Sequence, residues 1–366
     1  MSKILYLANA GDIHTARWVN AIAKKGNSVT LLTVQPMERC VPVDPAVRVR
    51  QLYWHGGAGY YLNVPEVRRW IKEIQPDLMH AHYATGYGTL ARLVGFHPTI
   101  TSAWGSDILV FPKKSIFHRA LLVNNLKYAD YIASTSRVMA EEMTQLISPC
   151  NPIALTPFGV DCGCFSPKPE KSDADIIIGT VKKLERIYGI DFLIDAFALV
   201  KRGYQGGRKL KLKIYGKGPL EGQLRKLAIK RGVMEDTDFC GYVRHEDLPS
   251  VFNSFSVSVA LSRSESFGVS VLEASACGVP VVVSDVGGLP EVVLNGKTGF
   301  IVGAGKVDEA ATAILNILHK PEMAAQMGES GRRHVLQYYS WEDSVNKMLS
   351  LYDMVVRNNS SVQKRA

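Results

Sequence analysis

Residues 4–34, ILYLANAGDIHTARWVNAIAKKGNSVTLLTV, decide the fold. The apolar run 4–8 predicts a buried strand, and residues 15–25 carry apolar side chains at helical spacing. Gly26 ends that helix, and residues 29–34 form a second apolar run of strand length. A strand, a helix and a strand in direct succession form a βαβ unit, which implies a parallel sheet.

The same alternation continues as far as residue 156. It predicts further strands at residues 48–52, 99–102, 131–134 and 153–156, and one that begins at residue 78. Helical spacing between these runs predicts helices at residues 64–74, 88–95, 115–127 and 139–147.

A stretch rich in proline, glycine and charge, residues 157–175, interrupts the alternation, and we interpret it as an interdomain linker. A second series follows, with predicted strands at residues 176–181, 210–215, 237–239, 257–261, 281–284 and 300–302. Its predicted helices are at residues 190–201, 220–231, 248–254, 266–277 and 306–318.

A last helical pattern covers residues 341–357, and we expect residues 358–366 to be frayed. The sequence therefore predicts the α/β class with two Rossmann-like, doubly wound domains. We place them at residues 1–165 and 174–340, with the helix 341–357 packing back on the first domain.

The composition is that of an ordinary globular protein. Of 366 residues, 46% are hydrophobic and 21% are charged, which excludes a disordered, collagen-like or wholly membrane-embedded chain. The formal net charge is +9, and residues 1–168 carry 17 Lys and Arg against 11 Asp and Glu. A basic first half favours an anionic partner, such as a nucleotide, a diphosphate, a nucleic acid or an acidic membrane surface.

Cysteine usage and apolar run lengths bear on the compartment. Six cysteines are scattered, and only Cys162 and Cys164 are close together, which is typical of a reduced cytoplasmic protein. Neither a signal peptide nor a run approaching the ~20 apolar residues of a spanning helix is visible. We expect a cytoplasmic protein that is soluble or peripheral on the inner face of the cell membrane.

The segment 264–280, SESFGVSVLEASACGVP, follows a predicted strand and carries the most informative chemistry. We expect Ser266 to cap the helix, so that the amides of Gly268 and Val269 lie in its first turn. The free amides at a helix N-terminus form an anion site, and a glycine there allows close approach. The segment therefore predicts a phosphate site, with Phe267 beside it.

Two glutamates flank this predicted phosphate site. Glu273 lies four residues beyond Val269, on the same helix face and about 6 Å along the axis, where it can accept hydrogen bonds from ribose hydroxyls. Glu265 stands just before the helix, near the other end of a diphosphate, where it can meet a sugar. A glutamate on an otherwise apolar helix is expected to be buried and therefore to need a partner.

The spacing Glu265-x7-Glu273, within FGVSVLEASACGVPVV, resembles the signature of glycosyltransferase family 4. The segments GDIHTARW at 11–18, AWGSD at 103–107 and YGKGP at 215–219 are also similar to that family, so the resemblance covers nearly the whole chain. It implies the GT-B fold, with the donor nucleotide on the second domain and the acceptor on the first. It also implies transfer with retention and no bound metal or other cofactor.

Further donor-site candidates follow the strands of the second domain. They are Lys182 and Lys183 after strand 176–181, Gly216 and Gly218 in a turn after strand 210–215, and Tyr242 and Val243 after strand 237–239. Lysines at a strand end can neutralise a leaving diphosphate. The family's usual arginine position is matched by Lys183, whereas its usual lysine position holds Tyr188, and Arg186 is an alternative substitute.

In the first domain, Gly11 follows the first strand and is a candidate to admit the diphosphate, and Asp12 and His14 are candidates to bind the acceptor. Many family members carry a histidine before a Gly-x-Asp element, and Trp104 replaces it here. Asp107 is therefore a candidate catalytic contact, in addition to the catalytic candidates Glu265 and Lys183 of the second domain. His80 and His82 form a His-x-His pair, but no third metal ligand accompanies them.

Two segments, 68–72 and 110–119, mix basic and aromatic residues and favour contact with an anionic bilayer. We therefore expect a retaining glycosyltransferase of hexosyltransferase type, using a nucleoside diphosphate sugar, with UDP favoured. The expected acceptor is a hydroxyl of a glycan, often lipid-linked, in bacterial cell-surface polysaccharide or lipopolysaccharide synthesis. The alternatives are a sugar-nucleotide epimerase of the same shape and a basic nucleic-acid-binding protein, although no nucleic-acid module is recognised.

Overall fold

The computed structural model describes residues 1–36, 42–168 and 175–363. The chain forms two compact units: the first is Met1–Phe158 together with the residues from Asp343 onward, and the second is Gly159–Glu342. The change of unit falls earlier than the predicted residue 165. The reason is that Phe165 packs inside the second unit, 5.5 Å from the ring of His245.

The first unit is built on a seven-stranded, parallel sheet with the order β3-β2-β1-β4-β5-β6-β7. In its register, Ile4 lies opposite both Val29 and Leu78. The strands are β1 (Lys3–Leu7), β2 (Ser28–Thr33), β3 (Arg48–Gln51), β4 (Leu78–His82), β5 (Thr99–Ala103), β6 (Tyr131–Ser134) and β7 (Ala154–Leu155).

Helices cover this sheet, and the first of them begins at a side-chain cap. The carboxylate of Asp12 accepts hydrogen bonds from the amides of His14 and Thr15 and so caps the first helix. The helices are α1 (Ile13–Lys24), α2 (Gly56–Leu62), α3 (Val64–Ile74), α4 (Gly86–Val94), α5 (Ser106–Leu109), α6 (Ile116–Tyr128) and α7 (Arg137–Leu146). The sequence patterns missed α2 and α5, which are short and have little apolar periodicity.

The second unit is built on a six-stranded, parallel sheet with the order β10-β9-β8-β11-β12-β13. Its strands are β8 (Ile176–Val181), β9 (Leu210–Tyr215), β10 (Thr237–Gly241), β11 (Val257–Ala260), β12 (Val281–Ser284) and β13 (Gly299–Val302). Its helices are α8 (Ile190–Gly203), α9 (Glu221–Lys230), α10 (Leu248–Asn253), α11 (Val269–Ala276), α12 (Leu289–Val292), α13 (Val307–His319) and α14 (Pro321–Tyr338).

Helix α14 was missed because its buried face carries Gly328 and Gly331 beside Met327 and Val335, so close backbone packing replaces an apolar stripe. A final helix, α15 (Trp341–Gln363), follows it. The prediction that the chain frays is wrong for residues 358–363, because the helix continues to Gln363. The side-chain amide of Asn358 also donates to the hydroxyl of Tyr131 at 2.9 Å. The rest of the predicted frayed segment, residues 364–366, lies outside the described residues.

The prediction that Ser266 caps α11 is also wrong. The helix begins at Val269, and its N-cap is Gly268 with a left-handed φ of 102°. The chain before it is held in a non-helical path because the amide of Gly288 donates to the carbonyl of Glu265 at 3.0 Å.

Each sheet reverses its strand order once, between β1 and β4 in the first unit and between β8 and β11 in the second. In doubly wound sheets ligands bind at the carboxyl ends of the strands beside this switch point. The loops that follow β1, β4, β8 and β11 are therefore where a site is expected. Within the described ranges, no helix is both long and apolar enough to cross a bilayer.

Candidate functional site

The switch point of the second unit holds a buried ion pair. The ammonium of Lys182, which directly follows β8, is paired with Oε2 of Glu265, which follows β11. Only 8% of the Lys182 side chain and 12% of the Glu265 side chain are exposed. Since isolated charges are costly to bury, each group offsets the charge of the other.

An aromatic ring lies beside this pair. The Nζ atom of Lys182 is 5.3 Å from the centre of the Tyr188 ring, a cation–π distance. Burial, with the charges of Glu265 and Glu185 adding to it, raises the pKa of Tyr188 to about 12, so its hydroxyl stays protonated at neutral pH. Tyr188 therefore contributes a ring face and a neutral hydroxyl where the family's usual lysine would contribute a charge.

The start of α11 lies next to Glu265. Phe267 and Gly268 are buried, Val269 is half-buried, and the helix proceeds directly from them. The first amides of a helix have no carbonyl partner inside it and carry partial positive charge. Gly287 makes this arrangement possible, because a Cβ there would lie 1.8 Å from the carbonyl oxygen of Glu265.

Glu273 lies on the buried side of α11, with 7% of its side chain exposed. Its Oε1 is 3.9 Å from Nδ1 of His245, which stands on the loop between β10 and α10. This contact brings the loop that contains Tyr242 and Val243 close to α11. The Tyr242 side chain is 67% exposed and so does not serve packing.

The turn after β9 completes this part of the unit. Gly216 and Gly218 lie against the chain that follows β8, where the amide of Lys182 donates to the carbonyl of Tyr215 and that of Leu184 to the carbonyl of Lys217. The structure thus brings together, at the carboxyl edge of this sheet, Lys182, Glu265, Gly216, Gly218 and the start of α11. Lys183 and Arg186, by contrast, are exposed.

The first unit has a cavity of about 250 Å³ at its own switch point. Hydrogen bonds join three of its lining residues: the hydroxyl of Tyr87 donates to Oε1 of Gln35, whose Nε2 donates to the hydroxyl of Tyr60 at 2.6 Å. The lining residues are Asn9, Asp12, Thr15, Gln35, Tyr60, His82, Tyr83, Thr85, Gly86, Tyr87 and Trp104. The cavity is therefore rich in hydroxyl, amide and aromatic groups.

His82 is the unusual member of this lining. It is 1% exposed, and neither ring nitrogen has a hydrogen-bond partner among the described residues. Its ring lies 4.4 Å from that of Trp104. Burial, and to a lesser extent the neighbouring His80 and His14, holds the pKa of His82 well below its usual range, so the imidazole is neutral.

His80 has a structural environment instead. Its Nδ1 is 2.6 Å from the hydroxyl of Tyr352 on α15, and its Nε2 is 2.7 Å from the hydroxyl of Ser102. The Tyr352 hydroxyl also bonds to that of Tyr6 on β1. This buried chain ties α15 to the centre of the first sheet.

Comparisons with known proteins identify the family. Residues 165–334 match the family described as Glycosyl transferases group 1, and residues 3–136 match Glycosyl transferase 4-like. The GDP-mannose-dependent alpha-(1-6)-phosphatidylinositol monomannoside mannosyltransferase of Mycolicibacterium smegmatis is 31% identical, over 69% of this chain and 69% of its own length. This chain belongs to the group 1 glycosyltransferases, glycosyltransferase family 4.

Two further comparisons agree. The D-inositol 3-phosphate glycosyltransferase of Gordonia bronchialis is 28% identical, over 77% of this chain and 67% of its own length. The crystal structure of Anabaena Alr3699/HepE in complex with UDP and glucose superposes with a TM-score of 0.82 at 19% identity, covering 96% of this chain and 100% of that chain. The predicted GT-B fold is therefore confirmed. Its family membership makes the protein a glycosyltransferase that uses a sugar-nucleotide donor.

Several predicted site residues of this glycosyltransferase make hydrogen bonds or ring contacts that stabilise the local structure. Asp107 is 2% exposed, and its carboxylate accepts hydrogen bonds from the amides of Ala84, Trp104 and Gly105 at 2.8–3.2 Å. Burial raises the pKa of Asp107, and these amides work against that rise. The carboxylate thus holds two loops together, and a catalytic contact by Asp107 stays a prediction.

The acceptor candidates lie at the start of α1. The amide of Gly11 donates to Oδ1 of Asn9 at 3.0 Å, and Asp12 lines the cavity while it caps the helix. His14 stacks on Phe158, with ring centres 4.2 Å apart. Binding of an acceptor or a diphosphate by these three residues also stays a prediction.

Sequence reasoning missed Gln35, Tyr60 and Tyr87 in the first unit and His245 and Gly287 in the second. Each is brought to its site by a long-range contact rather than by a motif. The Val286-Gly287-Gly288 turn after β12 was the one visible signal, because paired glycines commonly mark a close backbone approach.

Proposed function

We propose that this glycosyltransferase moves a sugar from a nucleoside diphosphate sugar to an acceptor hydroxyl with retention of the anomeric configuration. The Lys182–Glu265 pair beside the start of α11, with Glu273 further along the same helix, is the observation that carries the proposal. Along the chain, Glu265 comes before the first amides of α11 and Glu273 comes after them. This matches the order of donor sugar, diphosphate and ribose in a sugar nucleotide, and Lys182 adds a cation for the diphosphate.

The donor diphosphate binds at the first amides of α11 and to Lys182. The ammonium then shifts part of its interaction from Glu265 to the leaving phosphate, which develops negative charge as the bond to the sugar breaks. Glu273 accepts hydrogen bonds from the ribose hydroxyls, and Glu265 lies toward the donor sugar. We assign the neutralising cation to Lys182 rather than to Lys183, because only Lys182 is held at this edge.

The bond changes balance without a further group. The bond between the anomeric carbon and the β-phosphate oxygen breaks, and a bond from that carbon to the acceptor oxygen forms on the same face. The acceptor proton passes to the departing phosphate oxygen, so no separate side-chain base is required. No metal ion is needed either, since Lys182 and the α11 amides supply the positive charge. Among residues 1–36, 42–168 and 175–363, no cluster of three metal-binding side chains is present.

The acceptor is proposed to bind in the cavity of the first unit. Sites for drug-sized ligands have volumes of about 300–1,000 Å³, so a cavity of about 250 Å³ suits a single polyol ring. Tyr60, Gln35 and Tyr87 offer hydroxyl and amide groups to such a ring, and the neutral imidazole of His82 offers one donor and one acceptor. The relatives named for inositol phosphate and phosphatidylinositol mannoside support a cyclitol or sugar acceptor.

A membrane-anchored acceptor is supported by the surface at α6. Ile116 and Phe117, at the start of that helix, are 78% and 82% exposed. Lys113, Lys114 and Arg119 are exposed beside them. Apolar side chains flanked by basic ones match the interface of an anionic bilayer, so we propose peripheral attachment through this surface.

Calorimetry with nucleotides and a product assay test the proposal. We expect UDP to bind to the wild type, with GDP as the alternative base, because a relative that is 31% identical is named as GDP-mannose-dependent. Supplied with the matching sugar nucleotide, the enzyme should release the nucleoside diphosphate, and EDTA should not prevent it. Interconversion of the sugar nucleotide without release of diphosphate would show an epimerase instead.

A further inference from the structure

Two loops carry the donor site of the second unit, and one arginine joins them. The first loop comprises residues 182–189, after β8, and the second comprises residues 261–268, after β11. Arg263, in the second loop, donates its backbone amide to the carbonyl of Ile187 at 2.7 Å. Its guanidinium Nη1 donates to the carbonyl of Arg186 at 2.9 Å. Both bonds fix the part of the first loop that leads into Tyr188.

The same guanidinium is held from its other side by α8. It forms a bidentate pair with the carboxylate of Asp191, at 2.8 Å and 2.6 Å. Its central carbon lies 3.8 Å from the centre of the Phe192 ring. Burial alone would raise the pKa of Asp191, but the hydrogen bonds and charge of Arg263 hold it below its usual range. This bidentate, stacked geometry requires the planar fork of an arginine.

The position of Arg263 in the chain makes these contacts relevant to Glu265. Glu265 follows Arg263 by two residues, and Tyr188 follows Ile187 directly. Lys182, at the start of the first loop, must face both Glu265 and the Tyr188 ring. A shift of either loop would therefore separate the ammonium from the carboxylate.

We propose that Arg263, anchored by Asp191, is the positioning residue that keeps the two donor-site loops in register so that Lys182 faces Glu265. The inference rests on the proposed function in that these loops are taken to carry the donor. Arg263 does not itself neutralise the phosphates, because its fork is already occupied by Asp191 and by a backbone carbonyl. It acts through Lys182 and Glu265.

Hydrogen–deuterium exchange and kinetics on Arg263→Ala and Arg263→Lys test this role. We expect both substitutions to raise exchange in segments 182–189 and 261–268 while the strands of the sheet keep their protection. Turnover at saturating donor should fall by about 10- to 100-fold in Arg263→Ala, because small misplacements of reacting groups are costly. Affinity for UDP should fall by a smaller factor than turnover, since the α11 amides and Glu273 remain although Lys182 is displaced.

Arg231→Ala is the matched control. Arg231 pairs with Asp195 at 2.7 Å and 3.3 Å, also from an arginine fork to a carboxylate on α8, but it contacts neither loop. It should leave both exchange and turnover unchanged. If Arg263 served only overall stability, Arg263→Ala would lower the melting temperature without altering turnover per nucleotide-binding site.

Three results would overturn the proposal: wild-type exchange in both loops of Arg263→Ala, wild-type turnover in that variant, or full turnover in Arg263→Lys. Full turnover in Arg263→Lys would show that only the positive charge of Arg263 matters, and that its planar fork does not. If Arg263→Ala does not fold, the lysine variant still decides the question. If the wild type consumes no sugar nucleotide, the proposed function fails. Hydrogen–deuterium exchange in the two loops of the Arg263 variants would still show whether Arg263 holds these loops in place.

Discussion

The ammonium of Lys182 is paired with the carboxylate of Glu265, although 83 positions separate them in the chain. Parallel strand order brings them together, because β8 and β11 are neighbours at the switch point of their sheet. A buried pair of this kind is weak evidence for stability, since desolvation offsets much of the attraction. The presence of this pair at the carboxyl edge of the sheet is explained if an anionic ligand, when bound, accepts part of the interaction that Lys182 otherwise makes with Glu265.

Substituting each lysine of the Lys182-Lys183 pair tests which one serves the diphosphate. We expect Lys182→Ala to lower turnover by at least about 100-fold, as loss of one preorganised charge-stabilising group commonly does. Lys183→Ala is the matched control, since Lys183 is exposed, and it should retain most activity. The opposite ranking, measured by release of nucleoside diphosphate, would return the role to Lys183.

The two glutamates are expected to separate binding from turnover. Glu273→Ala should weaken binding of the nucleoside diphosphate by about 1.5–3 kcal/mol, the cost of a lost hydrogen bond to a charged group. Glu265→Gln should lower turnover far more than nucleotide affinity, because we propose that Glu265 contacts the reacting sugar rather than the nucleotide. Calorimetry and steady-state kinetics on both variants check this, and a reversed pattern would mean that the roles are exchanged.

Binding of vesicles tests the surface at α6. The wild type should sediment with anionic vesicles at low salt, and each basic group near the surface contributes about 1 kcal/mol. High salt should release it, because the Debye length falls from ~10 Å at 0.1 M to ~3 Å at 1 M. A variant with Lys113, Lys114 and Arg119 changed to Ser should bind weakly and keep its affinity for UDP.

The control for this experiment removes the same charge from the second unit, where Lys226, Lys230 and Lys320 are exposed. Changing these three residues to Ser should leave vesicle binding intact. Equal loss in both variants would show a general charge effect, and a wild type that stays in the supernatant would point to a soluble acceptor.

Acid should destabilise the protein through its buried histidines. Burial lowers the pKa of His80 to about 3, against 6.5 when the chain is unfolded. Between these two values the His80 ring stays neutral in the folded protein and binds a proton in the unfolded chain. The contribution of His80 to the free energy of unfolding is therefore fully present above pH 6.5 and is lost as the pH falls toward 3. The slope is about 1.4 kcal/mol per pH unit for one such group.

Urea unfolding between pH 4 and pH 7 measures this slope. The variant His80→Gln removes the titrating ring, and its unfolding free energy should depend less steeply on pH than that of the wild type, by about one proton. Identical slopes for the two proteins would show that His80 is protonated in the folded state or does not control the loss.

Sequence patterns predicted most strands and the family because the deciding interactions are local in the chain. The run 176–181 coincides with β8, and Glu265 and Glu273 lie on one helix and its approach, so their spacing carries the geometry. The chain between them was predicted less well. Helix α11 starts at Val269 rather than at Ser266, because packing on Gly287 and Gly288 overrides the capping preference of a serine.

The partners of the site residues could not be predicted, because they depend on which loops meet in space. Nothing local distinguishes Lys182 from Lys183, yet only one of them faces Glu265. Arg263 and Asp191 are 72 positions apart and look like ordinary surface charges in the sequence. The cavity residues Gln35 and Tyr60 likewise meet only through the order of the strands and helices of the first unit.

The stereochemistry of donor hydrolysis is the most direct test of a retaining glycosyltransferase, and it needs no knowledge of the acceptor. Wild-type enzyme and an α-linked sugar nucleotide would be followed by proton NMR, with water as the acceptor, before the released sugar mutarotates. The α-anomer should appear first, at a rate that falls sharply in Lys182→Ala. Initial release of the β-anomer, or no consumption of any sugar nucleotide, would contradict the account.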